Sequence, residues 1–207
     1  MLILAGQGNP GAKYAKNRHN AGFLLLDRIH AAYGFGPWRA KFSADASEGV
    51  VDTAAGRQKV LLLKPQTYYN ESGLSMSKAA AFYKVDAEAV TVLHDEIDLA
   101  PGRLRVKRGG GHSGNNGIRS AIAHLGENFR RVRVGIGHPG DKTRVMPYVL
   151  SDFSKADLNW FEPLGDAICK ALPYLVAGED ERFQTEVMRL APAPKNDPKQ
   201  AGRPETQ

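Results

Sequence analysis

Apolar residues fall into runs of two different periods along this chain. Leu2-Ile3-Leu4-Ala5 is a short continuous apolar run that closes on glycines, the pattern of a buried strand. Residues 21–34 space their apolar positions along one face and stop at Gly34, which predicts a helix. Residues 48–54 and 58–64 flank Ala55-Gly56-Arg57 as a hairpin. Residues 72–85 read as a helix capped by Ser72. Residues 89–95 form a β-branched strand that runs into a charged cluster, and residues 102–108 alternate basic with apolar, as a strand with one exposed face does. A helix over 113–126, a strand over 131–137 and helices over 157–178 and 179–190 complete the series, with Pro163 and Pro173 predicted to break or kink the first of the last two.

Strands alternate with helices, and one hairpin interrupts them. That order predicts the α/β class: a single domain over residues 1–190 with a twisted mixed β-sheet and helices on both faces. Residues 191–207 are proline-rich and polar without apolar periodicity and are expected to be a disordered tail. The N-terminus has neither a basic leader nor a long apolar run, so no membrane association and a cytoplasmic location are expected. A single cysteine, Cys169, excludes an internal disulfide and a paired-cysteine zinc site, and its apolar surroundings read as core.

Charge changes the picture more than composition does. The 207 residues are 42% hydrophobic and 24% charged, which is ordinary for a globular chain, and the net charge is +6. Residues 101–150 alone carry ten basic side chains against Glu127 and Asp141, a local charge of +8, so the remainder is slightly acidic. Such a segment suits a polyanionic partner and equally a solvated basic face.

Polar clusters follow several strands, where a parallel-type sheet opens its binding crevice. Gly6, Gly8 and Gly11 spell a dinucleotide fingerprint, but Pro10 removes a backbone donor and the helical pattern starts only near Asn20, so a nicotinamide cofactor is not expected. His19 lies in the polar turn before the first helix, suited to general-base work and equally to a capping role. His94-Asp95-Glu96-Ile97-Asp98 ends a strand. An acid there can orient an imidazole, whereas a metal would need neighbouring residues that strand geometry points to opposite faces. Gly109-Gly110-Gly111, edged by Lys107 and Arg108 and followed by a helix start, suits a phosphate, a carboxylate or a developing oxyanion. Tyr68, Tyr69 and Asn70 offer stacking on a base or sugar and amide donation, or equally a packed aromatic and a helix-entry residue. No serine occupies a nucleophile elbow and no P-loop is present, so hydrolysis would fall to activated water.

Six segments taken in order closely resemble bacterial peptidyl-tRNA hydrolases: Gly6–Gly11, Arg18–Gly22, Lys64–Asn70, His94–Leu99, Gly109–Gly117 and Gly135–Gly140. The resemblance implies an enzyme that hydrolyses the ester between a peptide, or an N-blocked aminoacyl group, and tRNA, releasing tRNA for reuse in translation. It implies His19 as the base that activates water, with Asp95 orienting it. Asn9, Asn70 and Asn116 would hold the peptide and ester, Tyr14 and Tyr68 would meet the acceptor end, and Lys107 and Arg133 would grip the 5′ phosphate. It implies a monomer with peptidyl-tRNA as partner, no metal and no cofactor. A non-catalytic RNA-binding protein on the same fold is the alternative, and it would not need His19 and Asp95. The chain departs from the family pattern at Gln7 (usually leucine), Tyr69 (commonly methionine, against the peptide) and Asn115 (usually histidine).

Overall fold

Seven strands form one sheet in the order β2-β3-β4-β1-β5-β7-β6. The structure is a computed structural model and describes residues 1–195. In chain order the elements are β1 (Leu2–Gly6), α1 (Ala21–Tyr33), β2 (Arg39–Lys41), β3 (Ala44–Thr53), β4 (Gly56–Pro65), α2 (Ser72–Tyr83), β5 (Val90–Glu96), β6 (Leu104–Arg108), α3 (Asn116–Leu125), β7 (Arg130–Gly135), α4 (Val145–Val149), α5 (Lys155–Val176) and α6 (Asp180–Leu190). The central strands β4, β1, β5 and β7 run parallel, while β2, β3 and β6 pair antiparallel at the two edges. The sheet is therefore mixed, as the pattern predicts.

The two faces of the sheet bury different halves of each strand, because side chains alternate along a pleat. Leu4, Leu62 and Leu93 join a core with residues of α1, α5 and α6, while Ile3, Leu61, Leu63 and Val92 join a second core with residues of α2 and α3. Helices cover both faces. The connection through α1 and the hairpin brings β4 to one side of β1, and the connection through α2 brings β5 to the other. That reversal opens a crevice beyond the carboxyl ends of β1, β4 and β5.

Three local expectations are corrected. The hairpin turns at Ala54-Ala55, since Thr53 and Gly56 already pair, and Gly56 takes the positive φ of 113° that suits it. Ser72 does not cap α2: its side chain is buried and makes no capping bond, and a 3-10 turn over Tyr69–Glu71 leads into the helix instead. Nor do the prolines break α5, which runs unbroken from Lys155 to Val176 with Pro163 and Pro173 inside it. Pro173 lacks the N–H that would bond the carbonyl four residues back, but the Tyr33 hydroxyl donates to that Cys169 carbonyl at 2.7 Å.

Of the expected tail, residues 191–207, Ala191 packs into the core beyond α6, and residues 196–207 lie outside the described residues. Cys169 is buried. Among the described residues no helix is long and apolar enough to cross a membrane, and no group of three or more His, Cys, Asp or Glu side chains is placed to hold a metal ion.

Candidate active site

Asp95 and His19 meet at the crevice. Asp95 is the last but one residue of β5, and its carboxylate accepts from His19 Nδ1 at 2.9 Å (Oδ2) and 3.1 Å (Oδ1). His19 sits in a 3-10 turn over Arg18–Asn20 that feeds α1, so its ring is carried against β5 by the packing of that helix. Close approach makes this possible. A Cβ on Gly22 would stand 2.3 Å from the Gln7 amide nitrogen, and one on Gly6 2.6 Å from the Gly22 carbonyl oxygen. The fingerprint glycines thus serve helix–sheet contact: Gly8 likewise lies under Phe23, and only a short 3-10 turn, Ala12–Tyr14, follows the loop.

With Asp95 on Nδ1, the proton of neutral His19 belongs on that nitrogen, and Nε2 is left as the basic atom. Burial pushes the Asp95 carboxyl up. The charge and hydrogen bond of His19, the nearby His94 and the Tyr69 hydroxyl outweigh this and hold it below its ordinary range. Asp95 is therefore a carboxylate at neutral pH, available to steady a protonated imidazole.

Amides surround the pair. Asn9 and Asn20 clasp each other, with Asn9 N–H donating to Asn20 Oδ1 and Asn20 Nδ2 to the Asn9 carbonyl, each at 2.9 Å. Asn9 Oδ1 accepts from the Tyr69 backbone at 2.9 Å, which orients the Asn9 side chain and leaves its NH2 as a donor. Asn70 follows Tyr69 and is exposed. Asn116 begins α3 and is exposed as well, beside Asn115.

Of the two readings of the tyrosine pair, Tyr69 takes the packed one and is not free to stack on a base. It is 4% exposed, lies flat on His19 with ring centroids 3.5 Å apart, and donates to Asp95 Oδ1 at 2.9 Å. Tyr68 is 62% exposed and remains available. Tyr14 is half-buried in the turn after the glycine loop, with the Lys13 ammonium 4.6 Å from its ring centre.

The pleat gives β5 two polar faces. Asp95 faces His19, while His94 and Glu96 line a cavity on the other side with Lys107, His112, Arg131 and Arg133. Arg133 Nε bonds Glu96 at 2.9 Å, and Arg131 donates to the Gly110 and Gly111 carbonyls, pinning the glycine loop. The β6–β7 register sets Lys107 opposite Arg131 and Arg105 opposite Arg133. Like charges across a ladder cost stability, and Glu96, the loop carbonyls and Asp180, which pairs Arg108 and Arg130, offset it. The loop-plus-helix anion site expected after Gly111 is partly used internally, because Asn115 Oδ1 caps the Ile118 N–H at 2.9 Å.

The structure thus joins His19 to Asp95, ties Asn9 to the same centre through Tyr69, and places Lys107 with Arg133 in the neighbouring cavity. Sequence reasoning missed the Asn20 clasp and the contacts of Tyr69. It also missed the bracket that steadies the His19 turn, in which Arg18 Nη2 meets Asp157 at 2.6 Å and Asn17 Nδ2 meets Asp152 at 2.7 Å. Each joins residues far apart in the chain, and the only local sign was the density of asparagine in the turn.

A family model described as peptidyl-tRNA hydrolase matches residues 3–196. Among curated proteins, a peptidyl-tRNA hydrolase of Hyphomonas neptunium is 77% identical over 203 residues, covering 98% of each chain. One of Caulobacter vibrioides is 56% identical, covering 98% of this chain and 99% of its own. Among solved structures, the peptidyl-tRNA hydrolase of Acinetobacter baumannii superposes with a TM-score of 0.85 at 37% identity, over 93% of this chain and 97% of that one.

Proposed function

This chain belongs to the peptidyl-tRNA hydrolase family, and on that premise we propose that it cleaves the ester joining a peptide to tRNA with water activated by His19. The observation that carries this mechanism is the 2.9 Å contact between His19 Nδ1 and Asp95. His19 Nε2 takes a proton from water as the oxygen attacks the ester carbonyl carbon, and Asp95 steadies the resulting imidazolium. The carbonyl oxygen becomes an oxyanion held by amide donors, for which Asn9, Asn70 and Asn116 are the candidates. The intermediate collapses, the ribose oxygen leaves and recovers the proton from His19, and the products are a free peptide carboxylate and tRNA.

Neutral amides suit this task because they bind a peptide and an oxyanion without adding a group that titrates near neutrality. Tyr14 and exposed Tyr68 supply surface for the acceptor end. Lys107 and the free edge of the Arg133 guanidinium supply charge for the 5′ phosphate, contacts that position without reading bases. The reading needs neither metal nor cofactor, takes the chain to act as a monomer, and places it in the cytoplasm where its substrate arises.

A non-catalytic RNA-binding role is not favoured, because it gives no reason to bury a carboxylate against an imidazole beside oriented amides. The test is cleavage of N-acetyl-aminoacyl-tRNA in EDTA, with the unblocked aminoacyl-tRNA alongside. The protein cuts only the blocked ester at a rate unaffected by chelation, and His19→Ala loses about 10²–10⁴-fold in kcat. Binding without cleavage would overturn the enzymatic reading.

A further inference from the structure

We propose that Tyr69 is a positioning residue for the base: its ring fixes the plane of the His19 imidazole and its hydroxyl, held by Asn115, fixes the Asp95 carboxylate. The proposal rests on His19 acting as base. The Asp95 contact engages only one ring nitrogen, and an imidazole held at one edge can still rock about its Cβ–Cγ bond. The Tyr69 ring removes that freedom, lying 11° from parallel at 3.5 Å between centroids. Asp95 is fixed in the same way. Its Oδ1 accepts from Tyr69 at 2.9 Å as well as sharing the His19 proton, so both oxygens have defined partners inside a buried setting.

Asn115 completes the chain of contacts. Its Nδ2 lies 3.1 Å from the Tyr69 hydroxyl oxygen and donates to it, so the phenol can only point its own proton at Asp95. The same side chain caps α3 through Oδ1, which ties the contact to the helix start. Burial, followed by the charge of Asp95, holds the phenol well above its usual range, so it stays a donor at every working pH. When the imidazole takes its proton from water, it becomes a cation over an aromatic face, a favourable contact in a site withdrawn from solvent. Gln7 closes in on the same ring, since a Cβ on Gly117 would meet Tyr69 Cε1 at 2.5 Å and Gln7 Oε1 at 2.6 Å.

The experiment separates hydroxyl from ring and positioning from binding. Tyr69→Phe keeps the stack and loses the donor. Its kcat on N-acetyl-aminoacyl-tRNA falls about tenfold, equivalent to about 1.4 kcal/mol of barrier, with KM nearly unchanged. Tyr69→Leu removes the ring as well and falls further. Asn115→Ser retains an oxygen to cap α3 but not the reach to Tyr69. It lowers kcat in the wild-type background and adds little in the Tyr69→Phe background.

A readout independent of turnover is the NMR spectrum of the His19 ring, whose Nδ1–H signal is expected to shift in Tyr69→Phe, where Asp95 loses one of its donors. Wild-type kcat with an unchanged His19 spectrum in Tyr69→Phe overturns the proposal, and so does a raised KM at constant kcat, which would make Tyr69 a wall of the substrate site. The base reading is judged separately: His19→Ala retaining activity overturns that reading, while the spectrum still decides whether Tyr69 orders the ring. Should Tyr69→Phe fail to fold, by circular dichroism, Asn115→Ser decides alone by the same split between kcat and KM.

Discussion

Gly22→Ala places one methyl group at the contact that holds the turn of His19 against β5. The added carbon would stand 2.3 Å from the Gln7 nitrogen and 2.4 Å from the Leu93 carbonyl oxygen, where ordinary contact begins near 3.4 Å. Both obstacles are backbone, and they are hydrogen-bonded to each other at 2.9 Å across β1 and β5, so neither can swing aside. The helix must therefore retreat by about 1 Å. His19 lies three residues before Gly22 and Asp95 two after Leu93, so the same retreat stretches the 2.9 Å contact between them to near 4 Å, beyond hydrogen bonding. Overpacking of this kind costs about 1–3 kcal/mol, and a 1 Å misplacement of reacting groups costs about 10²-fold in rate. Thermal unfolding and ester cleavage of N-acetyl-aminoacyl-tRNA measure the two effects. The variant is expected to melt several degrees lower and, in its folded temperature range, to turn over about a hundredfold more slowly with KM little changed. A Tm and kcat equal to the parent's would show that the glycine contact does not set the His19–Asp95 distance.

Two further outcomes follow from the neighbouring cavity. Lys107→Ala should raise KM for the full tRNA substrate and reduce the slope of log affinity against log salt by about one, read by filter binding over a salt series; an unchanged slope would mean Lys107 touches no phosphate. Burial, opposed by Asp95 and Glu96, leaves the proton affinity of His94 below its ordinary value of 6.5, so in the window below pH 6.5 the unfolded chain binds a proton that the folded one refuses. Stability contributed by neutral His94 is thus complete above pH 6.5 and is lost as pH falls through its lowered folded value. In melts from pH 7 to pH 5, His94→Asn should show a shallower fall in Tm than the parent, and parallel curves would refute the assignment.

Much of this architecture can be read along the chain because it depends on local period. The apolar alternation of β4 places Leu61 and Leu63 on one face and Leu62 on the other, and the structure puts them in separate cores. What cannot be read there depends on partners distant in sequence. Pro173 reads as a helix breaker until Tyr33 supplies the missing donor. Tyr69 reads equally as a stacking platform or a packed aromatic until the fold carries it onto His19 and Asp95. Ser72 matches a capping preference, but burial under the packed helices withdraws its hydroxyl from the turn.

The two-residue period of β5 has a chemical consequence as well. His94, Asp95 and Glu96 are consecutive, and a strand sends the middle one away from its neighbours. Asp95 thereby meets His19 while Glu96 meets Arg133, each at 2.9 Å. Were both acids on one face, the guanidinium would compete with the imidazole for the same carboxylate. A fixed cation wins such a contest against a group that is charged only after it has taken a proton, and it would also disfavour that charge. Glu96 holds Arg133 on the far side of the strand and partly neutralises it. Asp95 is left with its charge directed at the His19 imidazole, the base of the proposed mechanism, and the cations that the proposal assigns to a phosphate lie across the strand, where they do not compete for that carboxylate.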